Sequence, residues 1–434
     1  MLRALVITFG SIMAFGHLLH VQGQEKSVST DTQHEKLLRQ LRSGSYEDRE
    51  DATIAILELG EAARPWVLRG TLSSDLEVRL RCEQLLNRID SAAFTRRLDE
   101  FRIGRGKELT RELPCCREFL AVFGNDELGR ALYCDTAKSE QTLLELVEQY
   151  LRSERESDKK LSEAERRAKL TLKSRPIQQA LDEAAMLWTG EGASFRPNRY
   201  LTQPSMRVET LSACVLIAQL PGLKDQKGIV DAVYGFFRSP ANISAIRKSH
   251  HFLSIRTGAA KWLASSEVKL QPLSIAMRLG ISDVALELGR KAVDAYNLDK
   301  SADAEDASNV MMSGTTLGVI ACGRFGDKSD IDRLAPLLSK QVVIQTWITV
   351  DQKTSTGQLR DLALAYSAHL AGIDPKEIGF THLEANAETV FAPFTITFLD
   401  DAQREAAHQE WERRQSLKSQ GNGQKSRRKA SEIP

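Results

Sequence analysis

The stretches YEDREDATIAILELG (Tyr46–Gly60) and DLEVRLRCEQLLNRI (Asp75–Ile89) are the same amphipathic helix written twice, at an offset of thirty positions. Glu47 falls on Glu77, Arg49 on Arg79, Ala52 on Cys82, Ala55 on Leu85, Ile56 on Leu86 and Leu59 on Ile89. That offset is the period of an α-helical repeat. One helix pair of this size cannot enclose its own apolar stripe, so neighbours must stack into a continuous core. The fold expected is all-α, an α-solenoid of stacked helix pairs.

Punctuation around the pair agrees. Thr30–Gln33 and Ser74–Glu77 fit the capping box, in which hydroxyl and carboxylate or amide satisfy the free N–H groups of a first turn. Gly60 and Gly70 stand where helices should end, and Pro65 sits early, where a missing N–H costs least. Helices are expected over Glu35–Arg42, Glu47–Leu59, Pro65–Leu72 and Leu76–Ile89, then over Glu118–Phe123, Asp126–Tyr133 and Ser139–Tyr150. Leu151–Arg175 is dense in charges of both signs and poor in apolar residues, which marks a solvated helix or linker. Apolar periodicity returns from Ile177 and continues to Leu338.

Val342–Val350, VVIQTWITV, is β-branched and carries no helical stripe, so at most a short β-hairpin-like segment is expected near 342–350. Helix is expected again over Leu359–Leu370, extended chain over Phe391–Phe398, and a charged helix over Asp401–Leu417. The chain thus divides into a signal peptide (1–23), N-terminal repeats (24–97), a divergent helical segment with a charged linker (98–175), a C-terminal helical-repeat block (176–400), a terminal helix (401–417) and a disordered basic tail (418–434).

The signal reading rests on MLRALVITFGSIMAFGHLLHVQGQ, with Arg3 ahead of an apolar run from Ala4 to Phe15 and cleavage after Gly23. The run is too short for a membrane span, which needs about 20 residues. Export gives the six cysteines an oxidising compartment. Cys82 nevertheless takes the core position of Ala52, and Cys214 lies inside the apolar run LSACVLIAQL, as buried thiols do. A bridge among Cys115, Cys116 and Cys134 stays open, although adjacent Cys115 and Cys116 are too close to pair with each other.

The 434 residues carry a net charge of +1 and are only 6% aromatic, which argues against nucleic acid, since phosphate binding needs clustered Lys and Arg and base stacking needs aromatic platforms. EDREDATIAILELGEAARPWVLRGTLSSDLEVRLRCEQLLNRID (Glu47–Asp90) resembles HEAT-type helical repeats, in a version common in secreted bacterial proteins. The same resemblance extends to Gly323–Lys340, Gly357–Gly372, Asp374–Phe380 and the helix ending at Trp411. It implies that the R-D-x-A-L pattern, here Arg360–Leu364, lies on an inward-packing helix. It carries over no catalytic or binding residue.

Motifs for chemistry are missing from the sequence. No H-x-x-x-H, H-E-x-x-H or C-x-x-C occurs, so zinc spacing is absent. His250 and His251 are adjacent, and on a helix they point about 100° apart, too far to share one ion by themselves. His369 is expected on the surface. The acidic stretch holding Asp299, Asp303, Glu305 and Asp306 lacks the glycine of a calcium loop. Gly104-Arg105-Gly106-Lys107 lacks phosphate-loop spacing, and no G-x-S-x-G elbow exists. Asn242-Ile243-Ser244 matches a glycosylation sequon, and Lys425, Arg427, Arg428 and Lys429 form a solubilising basic end.

The function expected is an exported, non-enzymatic helical-repeat scaffold for protein–protein interaction in the cell envelope. It has no cofactor, no catalytic or metal residue, no nucleic-acid partner and no membrane span in the mature chain. Two alternatives stand beside it: an enzyme with its site within 190–260, and a factor tethered to the membrane by an uncleaved N-terminal segment.

Overall fold

A computed structural model of the chain describes residues 33–105, 107–155, 174–181, 207–224, 227–265, 270–298, 313–348 and 354–431. The expected signal peptide, the expected cap at Thr30, most of the charged stretch Leu151–Arg175, residues 190–206 of the 190–260 region and the acidic stretch from Asp299 to Asp306 lie outside them. The described residues are predominantly helical, as expected, and divide into two compact units, one ending at Leu109 and the other beginning at Thr110.

The first unit contains α1 (33–40), α2 (Tyr46–Leu59), α3 (Arg64–Gly70) and α4 (Leu76–Arg102). Its echo is physical. Ser45 caps α2 by accepting from the Asp48 N–H, and Asp75 caps α4 by accepting from Glu77 and Val78. The cap of α4 is thus Asp75, one residue beyond the expected Ser74, and a carboxylate there also favours the positive end of the helix dipole. Ahead of each cap the Ser43 and Ser73 hydroxyls accept from the Ser45 and Asp75 N–H groups at 3.1 and 3.2 Å.

Beyond the caps the copies diverge. Ala52 and Cys82 are both buried, but α2 then buries Ile56 while α4 buries Leu85 and Ile89. Leu86, the counterpart of Ile56, is only half-buried. The reason is length, because α2 stops at Gly60 whereas α4 runs unbroken through residue 97 to Arg102. The expected break near Ile89 and the boundary at 97/98 are therefore absent. Phe94, Leu98 and Phe101 continue the buried stripe of α4 instead. Gly70 is the last helical residue of α3 and does more than end it. A Cβ there would lie 2.5 Å from Cys82 Sγ, so only glycine lets α3 approach α4 this closely. Fully burying a side chain such as Val67 or Leu85 contributes about 1.5–3 kcal/mol.

The second unit begins with α5 (Cys116–Phe123), α6 (Glu127–Ser139) and α7 (Gln141–Arg155), followed by α8 (174–181). Next come α9 (Val208–Ile217), α10 (Lys227–Arg238), α11 (Pro240–Lys248), α12 (Phe252–Ala264), α13 (Leu270–Leu279), α14 (Ser282–Leu298), α15 (Gly314–Phe325) and α16 (Asp330–Leu334). Packing is serial in its second half, α13 on α14, α14 on α15 and α15 on α17 (Leu359–Leu370). At the last contact a Cβ on Gly323 would fall 2.0 Å from the Tyr366 ring, so the glycine admits the aromatic side chain.

Strand pairing exceeds the one short hairpin-like segment expected near 342–350. Strand β1 (Val343–Ile348) pairs antiparallel with β2 (Thr354–Gln358), which leads directly into α17, and a second ladder joins β3 (Ala385–Asn386) to β4 (Val390–Phe391). Thr356 also bridges to Phe398 through two backbone hydrogen bonds of 3.0 Å. Arg360 through Leu364 are all buried, so α17 is enclosed on every side over this pattern. The terminal helix α18 starts at Asp401 as expected but continues to Ser431, so Leu417 is not its end and residues 418–431 are helical where disorder was expected. Trp411 and Ala407 bury its docked face.

Candidate functional site

The two histidines dismissed on helical geometry are not on a helix. α11 ends at Lys248, α12 begins at Phe252, and His250 and His251 occupy the turn between them. Ser249 builds that turn. Its hydroxyl accepts from the His251 N–H at 3.1 Å and its carbonyl from the Phe252 N–H at 3.1 Å. The chain changes direction there, so the helical separation of about 100° does not apply. The imidazoles instead lie against each other with centroids 3.8 Å apart and planes inclined by 43°.

Both rings aim at one carboxylate. His251 Nε2 lies 2.9 Å and His250 Nε2 lies 3.8 Å from Asp135 Oδ2. Asp135 projects from the middle of α6, a helix fixed by buried Leu132, Tyr133, Cys134, Thr136 and Ala137. α6, α9 and α12 pack on one another, and the Thr210 hydroxyl of α9 donates to the Glu140 carboxylate at the end of α6 at 2.6 Å. The three side chains offer ligand atoms within 4.8 Å of one another. Exposure is graded across them, from 1% at His251 through 23% at Asp135 to 74% at His250.

Burial pushes the His251 imidazole below its ordinary pKa, outweighing the Asp135 hydrogen bond, and the neighbouring His250 adds to the fall. Glu209, half-buried on α9, acts the other way. His251 Nδ1 is buried without a hydrogen-bond partner. The sequence-based expectation of no metal-ligating residues thus meets a carboxylate and two imidazoles brought to one point. The missed signal lay in Ser249, a turn-forming residue directly before the histidine pair.

Other features are less able to do chemistry. A cleft of about 660 Å³ in the second unit is lined by Arg111, Cys116, Arg117, Glu118, Glu148 and Arg155. Arg155 already pairs with Glu118 at 2.7 Å, and Glu148 is held by Arg152 at 3.0 Å. Burial raises the Cys116 thiol to about 12, which removes the thiolate a nucleophile needs. All six cysteines are buried, and no disulfide joins any two of them, Cys115, Cys116 and Cys134 included. Gly104 follows helix α4 rather than a strand, unlike a phosphate loop. Asn242 lies within α11 with its amide donating to the Phe236 carbonyl at 3.1 Å, and His369 is exposed as expected. Among the described residues no helix is long and apolar enough to cross a membrane.

No family model, curated protein or solved structure matches this chain.

Proposed function

We propose that the chain is an exported, non-enzymatic helical-repeat scaffold that binds a protein partner in the cell envelope. One observation carries this reading. Around the α3–α4 turn of the first unit, Leu68 on α3, Leu72 in the turn, and Leu76 and Leu80 at i, i+4 on α4 are exposed, Leu72 by 85%. Several large apolar side chains left in water on one short stretch of chain are the kind of surface that a partner covers. The serial packing of α13, α14, α15 and α17 supports the solenoid part of the proposal, and the N-terminal apolar run supports export.

A photo-crosslinking amino acid placed at Leu72 or Leu76 in living cells tests it. A discrete protein adduct is expected at both positions and not at exposed Glu83 of the same helix. Absence of adducts at both leucines, or the same adducts at all three positions, rejects the scaffold reading. The alternative enzyme reading gains from a single observation, that His250 and His251 fall within 190–260 and meet Asp135 there. Hydrolysis of peptide, ester, glycan or phosphate substrates by purified protein, abolished by His251→Gln, would favour it instead.

A further inference from the structure

We propose that Asp135, His250 and His251 form a binding site for a divalent transition-metal ion of the zinc class. Imidazole nitrogen and carboxylate oxygen are the donors such ions take, and three protein ligands leave a further position for water. Zinc holds both donor types at about 2.1 Å, so two donors on a tetrahedral ion stand about 3.4 Å apart. The separations here, 2.9 Å for His251 and 3.8 Å for His250 from the same carboxylate oxygen, lie on either side of that value. The three donor atoms all lie within 4.8 Å of one another, so a small movement of exposed His250 brings them onto one ion.

The His250 separation is the most informative one. At 3.8 Å it is too long for a hydrogen bond, yet the ring lies tilted against His251 with its Nε2 near the oxygen that His251 already contacts. An ion seated between the three donors accounts for this convergence, which a plain His–Asp hydrogen bond leaves unused. Rigidity and access are both provided. His251 and Asp135 are fixed by α12 and α6, while exposed His250 can swing onto an arriving ion. The carboxylate of Asp135 supplies negative charge, and that of Glu209 is near enough to act on His251. Neither His250 nor His251 takes part in the interaction surface proposed above, so this site is independent of that reading.

The test uses the full chain without a histidine tag, stripped with a chelator and titrated with Zn²⁺ by calorimetry and with Co²⁺ by visible absorption. One equivalent bound, with the intense d–d bands of low-symmetry cobalt, is expected. His250→Gln changes an exposed side chain, leaves the fold intact by circular dichroism, and weakens binding about tenfold or more; Asp135→Asn, at the half-buried carboxylate, also weakens binding. His369→Gln, at an exposed histidine elsewhere, leaves binding unchanged. His250→Cys adds a thiolate-to-cobalt charge-transfer band, a signature that a merely structural role does not produce. No binding by the unsubstituted chain, or equal affinity in His250→Gln, overturns the proposal.

Discussion

Arg49 and Arg79 make the same hydrogen bond thirty positions apart: one guanidinium donates to the Ser43 carbonyl at 2.7 Å, the other to the Ser73 carbonyl at 3.1 Å. Each arginine thus ties its helix to the turn that enters it. Part-buried, charge-assisted bonds of this kind contribute about 1.5–3 kcal/mol. Arg49→Met and Arg79→Met should each lower the urea midpoint of the first unit by a similar amount. A large loss from one and none from the other would show that the copies are alike in sequence only.

Gly70→Ala should destabilise the first unit by about 1–3 kcal/mol, because the new methyl meets Cys82 Sγ. Adding Cys82→Ala removes that sulfur and should restore part of the loss. Unfolding curves of the two single variants and the double variant measure this coupling directly.

Arg404 and Asp361 are 1% and 0% exposed and face each other at 2.9 Å, with Arg404 also donating to the Thr356 carbonyl at 2.9 Å. Arg404→Met leaves a buried carboxylate without its cation, which costs about 3–5 kcal/mol. Limited proteolysis should then release α18. The double variant Asp361→Leu with Arg404→Met should regain much of the stability, since an uncompensated charge costs more than an apolar pair.

Asp330 predicts the acid limb of stability. Burial would raise its pKa, but Arg290 bonds both its oxygens at 2.8 Å and, with the Asp327 N–H and Arg333, holds the carboxyl below its ordinary value. A carboxyl lower in the folded than in the unfolded chain contributes fully above the ordinary range, and that contribution is lost as pH falls through the folded value. Asp330→Asn should therefore be least stable relative to the parent at neutral pH, the gap narrowing in acid. A gap independent of pH would contradict this.

Thiol reactivity offers a further check. Burial pushes Cys82 up to about 11 and Cys116, Cys214 and Cys322 up to about 12. A disulfide reagent at about pH 8 should leave the native chain unmodified over minutes and titrate six thiols in urea. Rapid reaction in the native state would show that a helix pair opens readily.

Local chemistry made much of this fold legible. The alternation of caps, prolines and glycines located most helices, and the β-branched run at Val342–Val350 located the first strand. Length was less legible, because nothing local stops α4 at Ile89 once Phe94, Leu98 and Phe101 extend its apolar stripe. Partner strands such as β2, rich in threonine, serine and glycine, gain their identity from pairing with β1 rather than from propensity. The candidate metal site was hidden for two reasons. Motif spacing presumes that neighbouring ligands share one regular element, whereas His250 and His251 sit in a turn. Their third partner, Asp135, lies in a distant helix, and its approach is fixed by packing alone.

The closure of Thr356 by Phe398 and Arg404 also orders events during synthesis. A nascent chain that has made β1, β2 and α17 but not yet residue 404 carries Asp361 without its arginine and β2 without its outer bridge. The segment can settle only after α18 has begun to emerge, so a chaperone at the ribosome would meet it open, whereas the first unit holds its own contacts long before.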